Sequence, residues 1–194
     1  MIKVRRGMDL PIAGTPEQTI YDGPAISQVA LIGSDYHGMK PTMAVRQGDV
    51  VKKGQLLFTD KKNDSAKYVA PAPGTVAAIN RGERRVFQSL VIDVEGHESK
   101  TFAAYKSEQL QELDRQLVTD QLVESGQWVA FRTRPFSKVP SAGSVASSIF
   151  VTAMDTNPLA ADPTVIIGQR EGDFANGLKV LSRLTDGPVN VCAA

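Results

Sequence analysis

The densest group of side chains able to do chemistry lies between Gly126 and Pro140. Arg132 and Arg134 flank Thr133, and Trp128, Phe131 and Phe136 stand close by. Guanidinium groups donate hydrogen bonds to carbonyl or phosphate oxygens. Aromatic faces stack on a flat ring, and a neighbouring cation adds to the attraction. The set therefore suits a quinone head or a nucleotide, with Arg132, Thr133 and Arg134 as donors and Trp128, Phe131 and Phe136 as the wall. A plainer reading stands beside it: a loop whose aromatics belong to the core and whose arginines are solvated.

Little else in the chain has the spacing of a catalytic or metal site, and no catalytic residue is assigned. His37 and His97 have no cysteine or carboxylate pattern around them. Ser141-Ala-Gly-Ser144 lacks the Gly-x-Ser-x-Gly elbow, and no Gly-x-Gly-x-x-Gly follows a strand. The single cysteine, Cys192, permits no internal disulfide or cysteine cluster and points to a reducing compartment. Arg81, Arg84 and Arg85 read as a solvated basic turn.

Positioning these groups falls to a chain of 194 residues, 42% hydrophobic and 22% charged, an ordinary globular composition. Twenty-two basic and 21 acidic residues leave a net charge of +1, with no basic excess of the kind nucleic acid demands. No apolar run approaches the ~20 residues that cross a bilayer, and the first residues, charged and without an apolar h-region, do not read as a signal peptide. Three parts are expected. Residues 1–25, rich in Pro and Gly, form an extended segment lying over the surface on Leu10 and Ile12. Residues 26–100 hold short β-branched runs separated by turn signals and read as an all-β barrel or sandwich.

Residues 101–194 alternate helix and strand patterns, which argues for a parallel α/β sheet of Rossmann-like type. Leucines at 110, 113 and 117 predict a helix capped by Ser107. A second short helix is expected from Thr119 or Asp120 to Gly126. Ser148–Met154 and Val189–Cys192 read as strands, and Phe174, Leu178, Leu181 and Leu184 as one helix face. A parallel strand at Val189–Cys192 requires a covering helix, so the α/β domain is expected to be truncated.

The strongest local pattern is Val45-x-x-Gly48-Asp49-x-Val51-x-x-Gly54-Gln55-x-Leu57, with Ala70-Pro-Ala-Pro-Gly74-x-Val76 downstream. The glycines allow tight turns, and the apolar positions alternate inward. This resembles the biotinyl/lipoyl-carrier fold. Thr59-Asp60-Lys61-Lys62 occupies the place of the modified lysine in such carriers. Its continuation to Lys67 predicts a tip longer than a tight modified hairpin, which favours an unmodified charged edge.

The order of segments is similar to the NqrA family, one of the components of the Na+-translocating NADH:quinone reductases of bacterial inner membranes. Lys3-x-x-Arg6-Gly7-Met8-Asp9-Leu10-Pro11-Ile12-Ala13-Gly14-x-Pro16, the barrel pattern and Trp128–Pro140 carry the likeness. It implies a peripheral subunit on the cytoplasmic face, joined to integral-membrane and peripheral partners. Those partners hold FMN and iron–sulfur centres, and ubiquinone is the substrate of the complex. Relatives of that family bind FMN on a glycine-rich loop matching Ala130–Phe136; the side chains of Phe131-Arg132-Thr133-Arg134 fill that place here. Met154 and Thr156 replace cluster ligands. The likeness thus implies a subunit without a cofactor of its own, which shapes a quinone-access region or acts purely as an adaptor.

Overall fold

A computed structural model describes residues 11–193. Residues 11–27 contain neither helix nor strand. Ile12, expected as an anchor, is half exposed, and Leu10 lies outside the described residues. A long-range tie from this segment joins Gln18 Oε1 to the backbone N–H of Asp162 at 2.7 Å.

Seven antiparallel strands follow. They are β1 (Gln28–Ile32), β2 (Pro41–Met43), β3 (Val50–Val51), β4 (Leu56–Asp60), β5 (Asn63–Val69), β6 (Gly74–Arg81) and β7 (Phe87–Val94). They form two sheets, ordered β1-β7-β6-β3 and β2-β4-β5. The apolar faces enclose Val51, Leu57, Phe58, Val76, Leu90 and Ile92. Gly48 and Gly54 take φ of 91° and 82°, the left-handed turns that the glycine spacing calls for.

Strict alternation fails at one informative place. The pairing steps from Leu56↔Val69 to Phe58↔Tyr68, so Leu57 is an extra residue on β4. This bulge sends both Leu57 and Phe58 into the core. Phe58 then stacks on Tyr68 at 4.7 Å and meets Phe87 edge-on at 5.2 Å.

The second half has α1 (Arg115–Glu124), β8 (Ile149–Thr152), α2 (Pro163–Gln169), α3 (Glu171–Ser182) and β9 (Val189–Cys192). β8 and β9 pair in parallel, from Ile149↔Val189 to Thr152↔Cys192, with the two helices in the crossover. Mixed α and β architecture, barrel-sandwich first and α/β second, is the fold class the sequence predicts.

The helix expected from Ser107 is not formed; residues 107–112 make successive turns. Asp114 is the cap instead, its carboxylate accepting from the N–H groups of Gln116 and Leu117. Ser107 Oγ is committed elsewhere, donating to Asn176 Oδ1 at 2.6 Å. Thr119 and Asp120 lie inside α1 rather than at its start. The chain leaves α1 through Gly126, at φ 75°. A Cβ there would stand 2.7 Å from Val69 Cγ2, so glycine lets the turn sit directly on β5.

A second core gathers Val118, Trp128 and Leu184 with Leu113, Leu122, Phe131, Ile149 and Leu181. Val139 packs against both cores. The segment between α1 and β8 is therefore the connection that sets the site against the barrel.

Candidate functional site

A cavity of about 820 Å³ opens where three stretches distant in sequence meet. The turn after β1 brings Tyr36–Met39. The β4–β5 hairpin brings Asp60, Lys62–Ser65 and Tyr68. The loop after α1 brings Arg132, Ser137–Val139 and Ser141.

Hydrogen bonds hold the third stretch to the second. Asn63 Nδ2 donates to the carbonyls of Val139 at 3.1 Å and Pro140 at 3.2 Å. Trp128 Nε1 donates to the same Pro140 carbonyl at 2.9 Å. The N–H of Ala142 donates to Ser65 Oγ at 3.1 Å.

The aromatic wall is Tyr36 against Tyr68, ring centres 4.5 Å apart and inclined by 64°. Burial pushes the Tyr68 phenol up to about 12; Asp60 and Tyr36 add to the rise, and the Arg132 cation opposes it. Tyr36 is raised by burial and Asp35, again opposed by Arg132. One guanidinium thus acts on both phenols, which stay protonated donors through the neutral range. Arg132 Nη1 donates to the carbonyls of Val129 and, at 2.9 Å, Phe131. Nε and Nη2 find no acceptor among the described residues and remain available for a ligand.

Raised phenol ionisation has a measurable consequence. Between pH 10 and about 12 the unfolded chain releases the Tyr68 proton while the folded chain keeps it. The folded state then binds more protons, so stability falls as pH rises through that window. Denaturant titrations should show this alkaline decline, and Tyr68→Phe should flatten it. An equal decline in the variant would contradict the buried-phenol assignment.

Of the six side chains singled out from the sequence, only Arg132 lines the cavity. Trp128 is 4% exposed, a core residue whose N–H is already used, so it cannot serve as the wall. Phe131 packs edge-on against it at 5.1 Å. Thr133 closes a small loop, its N–H and Oγ1 both donating to Lys138 O, at 2.8 and 3.1 Å. Arg134 and Phe136 sit in the exposed turn of that loop, outside the cavity. Half-buried Tyr36, backed by the core residue Tyr68, takes that place; no local motif marks either.

The hairpin tip also differs from expectation. Pairing continues to Asp60↔Asn63, leaving Lys61 and Lys62 as a tight two-residue tip. Lys62 Nζ donates to Gly38 O at 3.0 Å. Among the described residues there is no group of three or more His, Cys, Asp or Glu able to hold a metal.

Residues 2–95 match the family model of the NqrA N-terminal barrel-sandwich hybrid domain, and residues 113–194 that of the NqrA second alpha/beta domain. The chain belongs to the NqrA family. Proteins named as the NqrA component of Na(+)-translocating NADH-quinone reductase are similar along its whole length. That of Teredinibacter turnerae is 63% identical over 194 residues, 100% of this chain and 44% of the relative. That of Saccharophagus degradans is 63% identical over 194 residues, 100% of this chain and 43% of the relative. That of Alcanivorax borkumensis is 60% identical over 193 residues, 99% of this chain and 43% of the relative. The chain thus spans less than half the length of these NqrA relatives. No helix among its described residues is long and apolar enough to cross a membrane.

Proposed function

We propose that the chain serves as a peripheral subunit of a sodium-pumping NADH:ubiquinone oxidoreductase, at the cytoplasmic face of the bacterial inner membrane. Its cavity receives the ring of ubiquinone. The observation that carries the reading is Arg132 poised against two edge-packed, protonated tyrosines in a space of about 820 Å³, within the usual range for small-molecule sites. A quinone ring needs a flat wall and donors to its two carbonyl oxygens. The half-buried Tyr36 ring, backed by Tyr68, supplies the wall, and the free edge of Arg132 and the Tyr36 hydroxyl supply donors.

In this reading the electron carriers, FMN and iron–sulfur centres, reside in partner subunits, integral and peripheral. The complex passes electrons from NADH to ubiquinone and exports Na+. The closed loop at 133–138 supports a chain without its own flavin. The N–H groups of Thr133 and Ser137 are spent on Lys138 O and Thr133 O, at 2.8 Å each, rather than left open for a phosphate.

Titration of the chain with a short-chain ubiquinone, followed by intrinsic tyrosine fluorescence, tests the proposal. Saturable quenching is expected. An adaptor that only braces the complex gives no saturation, and that result would remove the quinone role.

A further inference from the structure

The near-zero net charge conceals a polarised molecule. β1 ends at Ile32, paired with Ser89 next to the β6–β7 turn. Gly33 then lies so close to Phe87 that a Cβ would come 2.3 Å from its carbonyl oxygen. From there the chain reaches Lys40, whose carbonyl accepts from the N–H of Lys61 at 2.8 Å. The β6–β7 turn, the β4–β5 tip and the 132–138 loop consequently share one end of the sandwich.

Three cationic triads occupy that end: Arg81, Arg84 and Arg85; Lys40, Lys61 and Lys62; Arg132, Arg134 and Lys138. Against these nine stand four carboxylates, Asp35, Asp60, Asp64 and Glu83. Since the whole chain has 22 basic and 21 acidic residues, the remainder is net acidic. None of the nine cations belongs to an ion pair among the described residues. Exposed apolar side chains lie on or next to the same segments: Ile32, Val86 and Phe136 are 47%, 63% and 73% exposed.

The β6–β7 turn that carries the first of these triads is built against local preference. Arg84 and Arg85 have φ of 51° and 60°, and the N–H of Val86 donates to Glu83 O at 3.1 Å. This is a type I′ hairpin turn, where Asn-Gly is favoured and arginine is strained. Two arginines hold the positions that would be least costly for uncharged residues.

We infer that this end docks on an anionic phospholipid bilayer. Unpaired cations meet the headgroups, and Val86, Ile32 and Phe136 enter the interfacial layer. The inference rests on charge and exposure, independently of what fills the cavity.

Flotation of the 194-residue chain with vesicles of phosphatidylcholine, alone or mixed with phosphatidylglycerol, tests it. The chain should bind the mixed vesicles, release as salt rises, and ignore pure phosphatidylcholine. Arg84→Asn/Arg85→Gly suits the turn better than the native pair, so it should fold with undiminished thermal stability. Its affinity for the anionic vesicles should fall about tenfold or more, each basic residue contributing roughly fivefold. Lys52→Gln/Lys53→Gln, an equal charge change at the opposite end, should bind like the unsubstituted chain.

Absence of binding to anionic vesicles would overturn the inference and leave an acidic protein surface as the occupant. Equal loss in both double variants, or none in the arginine pair, would also overturn it. Because the quinone titration needs no vesicles, its failure is read separately.

Discussion

Arg132→Ala is expected to weaken binding of a short-chain ubiquinone about tenfold or more, while Arg134→Ala leaves it nearly unchanged. From the sequence the two arginines are equivalent donors. The structure separates them, because Arg132 lines the cavity beside Tyr36 and Tyr68 and Arg134 stands in the solvent-facing turn. A hydrogen bond from a charged donor contributes roughly 1.5–3 kcal/mol when its partner would otherwise be unsatisfied. A cation that stands outside the cavity and makes no hydrogen bond to a neutral ligand contributes little. Arg132→Lys should fall between, since the ammonium keeps the charge and loses the planar fork. Equal losses at 132 and 134 would contradict the site, as would none at either.

The largest stability effect is expected at Gly74. This residue opens β6 between Val94 of β7 and Val51 of β3. Its φ is 149°, and a Cβ would lie 1.9 Å from the carbonyl oxygen of Asp93. Backbone oxygen cannot swing aside as a side chain can, so Gly74→Ala must part the two central strands or break their register. A cost on the order of 3 kcal/mol or more is expected, lowering Tm by about 10 °C in a protein of this size. Gly143→Ala is the matched control, because nothing stands within 4 Å of its would-be Cβ. Thermal unfolding followed by near-UV circular dichroism checks both. An unchanged Tm for Gly74→Ala would contradict the close approach of β6 and β7.

The barrel was legible because its determinants are local. Gly48, Gly54 and Gly74 mark turns and close approaches that only glycine tolerates, and alternating valines and leucine mark the inner face. The α/β half was partly legible for the same reason: Ile149–Thr152 and Val189–Cys192 are short β-branched runs, and Gly126 announces the end of α1. Ser107 misled because its hydroxyl is claimed by Asn176, 69 residues away. Helical leucine spacing without a free cap did not suffice, and Asp114 started the helix instead.

The cavity was the least legible feature. Its walls come from around residues 36, 65 and 135, and no spacing rule links them. Trp128 illustrates the difficulty. As a residue type it is a good ligand wall, yet its indole N–H is needed to hold Pro140 O, and that bond buries the ring. Tyr68 carried no signal beyond its place in a β strand. Only the bulge at Leu57, which aligns Phe58 with Tyr68, stacks it beneath the site.

The central claim is that a quinone ring rests on Tyr36, backed by Tyr68, with Arg132 at a carbonyl oxygen. A crystal of this chain soaked with a water-soluble ubiquinone tests it most directly. Flat density against the Tyr36 ring, within hydrogen-bond distance of the Arg132 guanidinium, is the predicted result. Ring density elsewhere, or an empty cavity at saturating ligand, would contradict it.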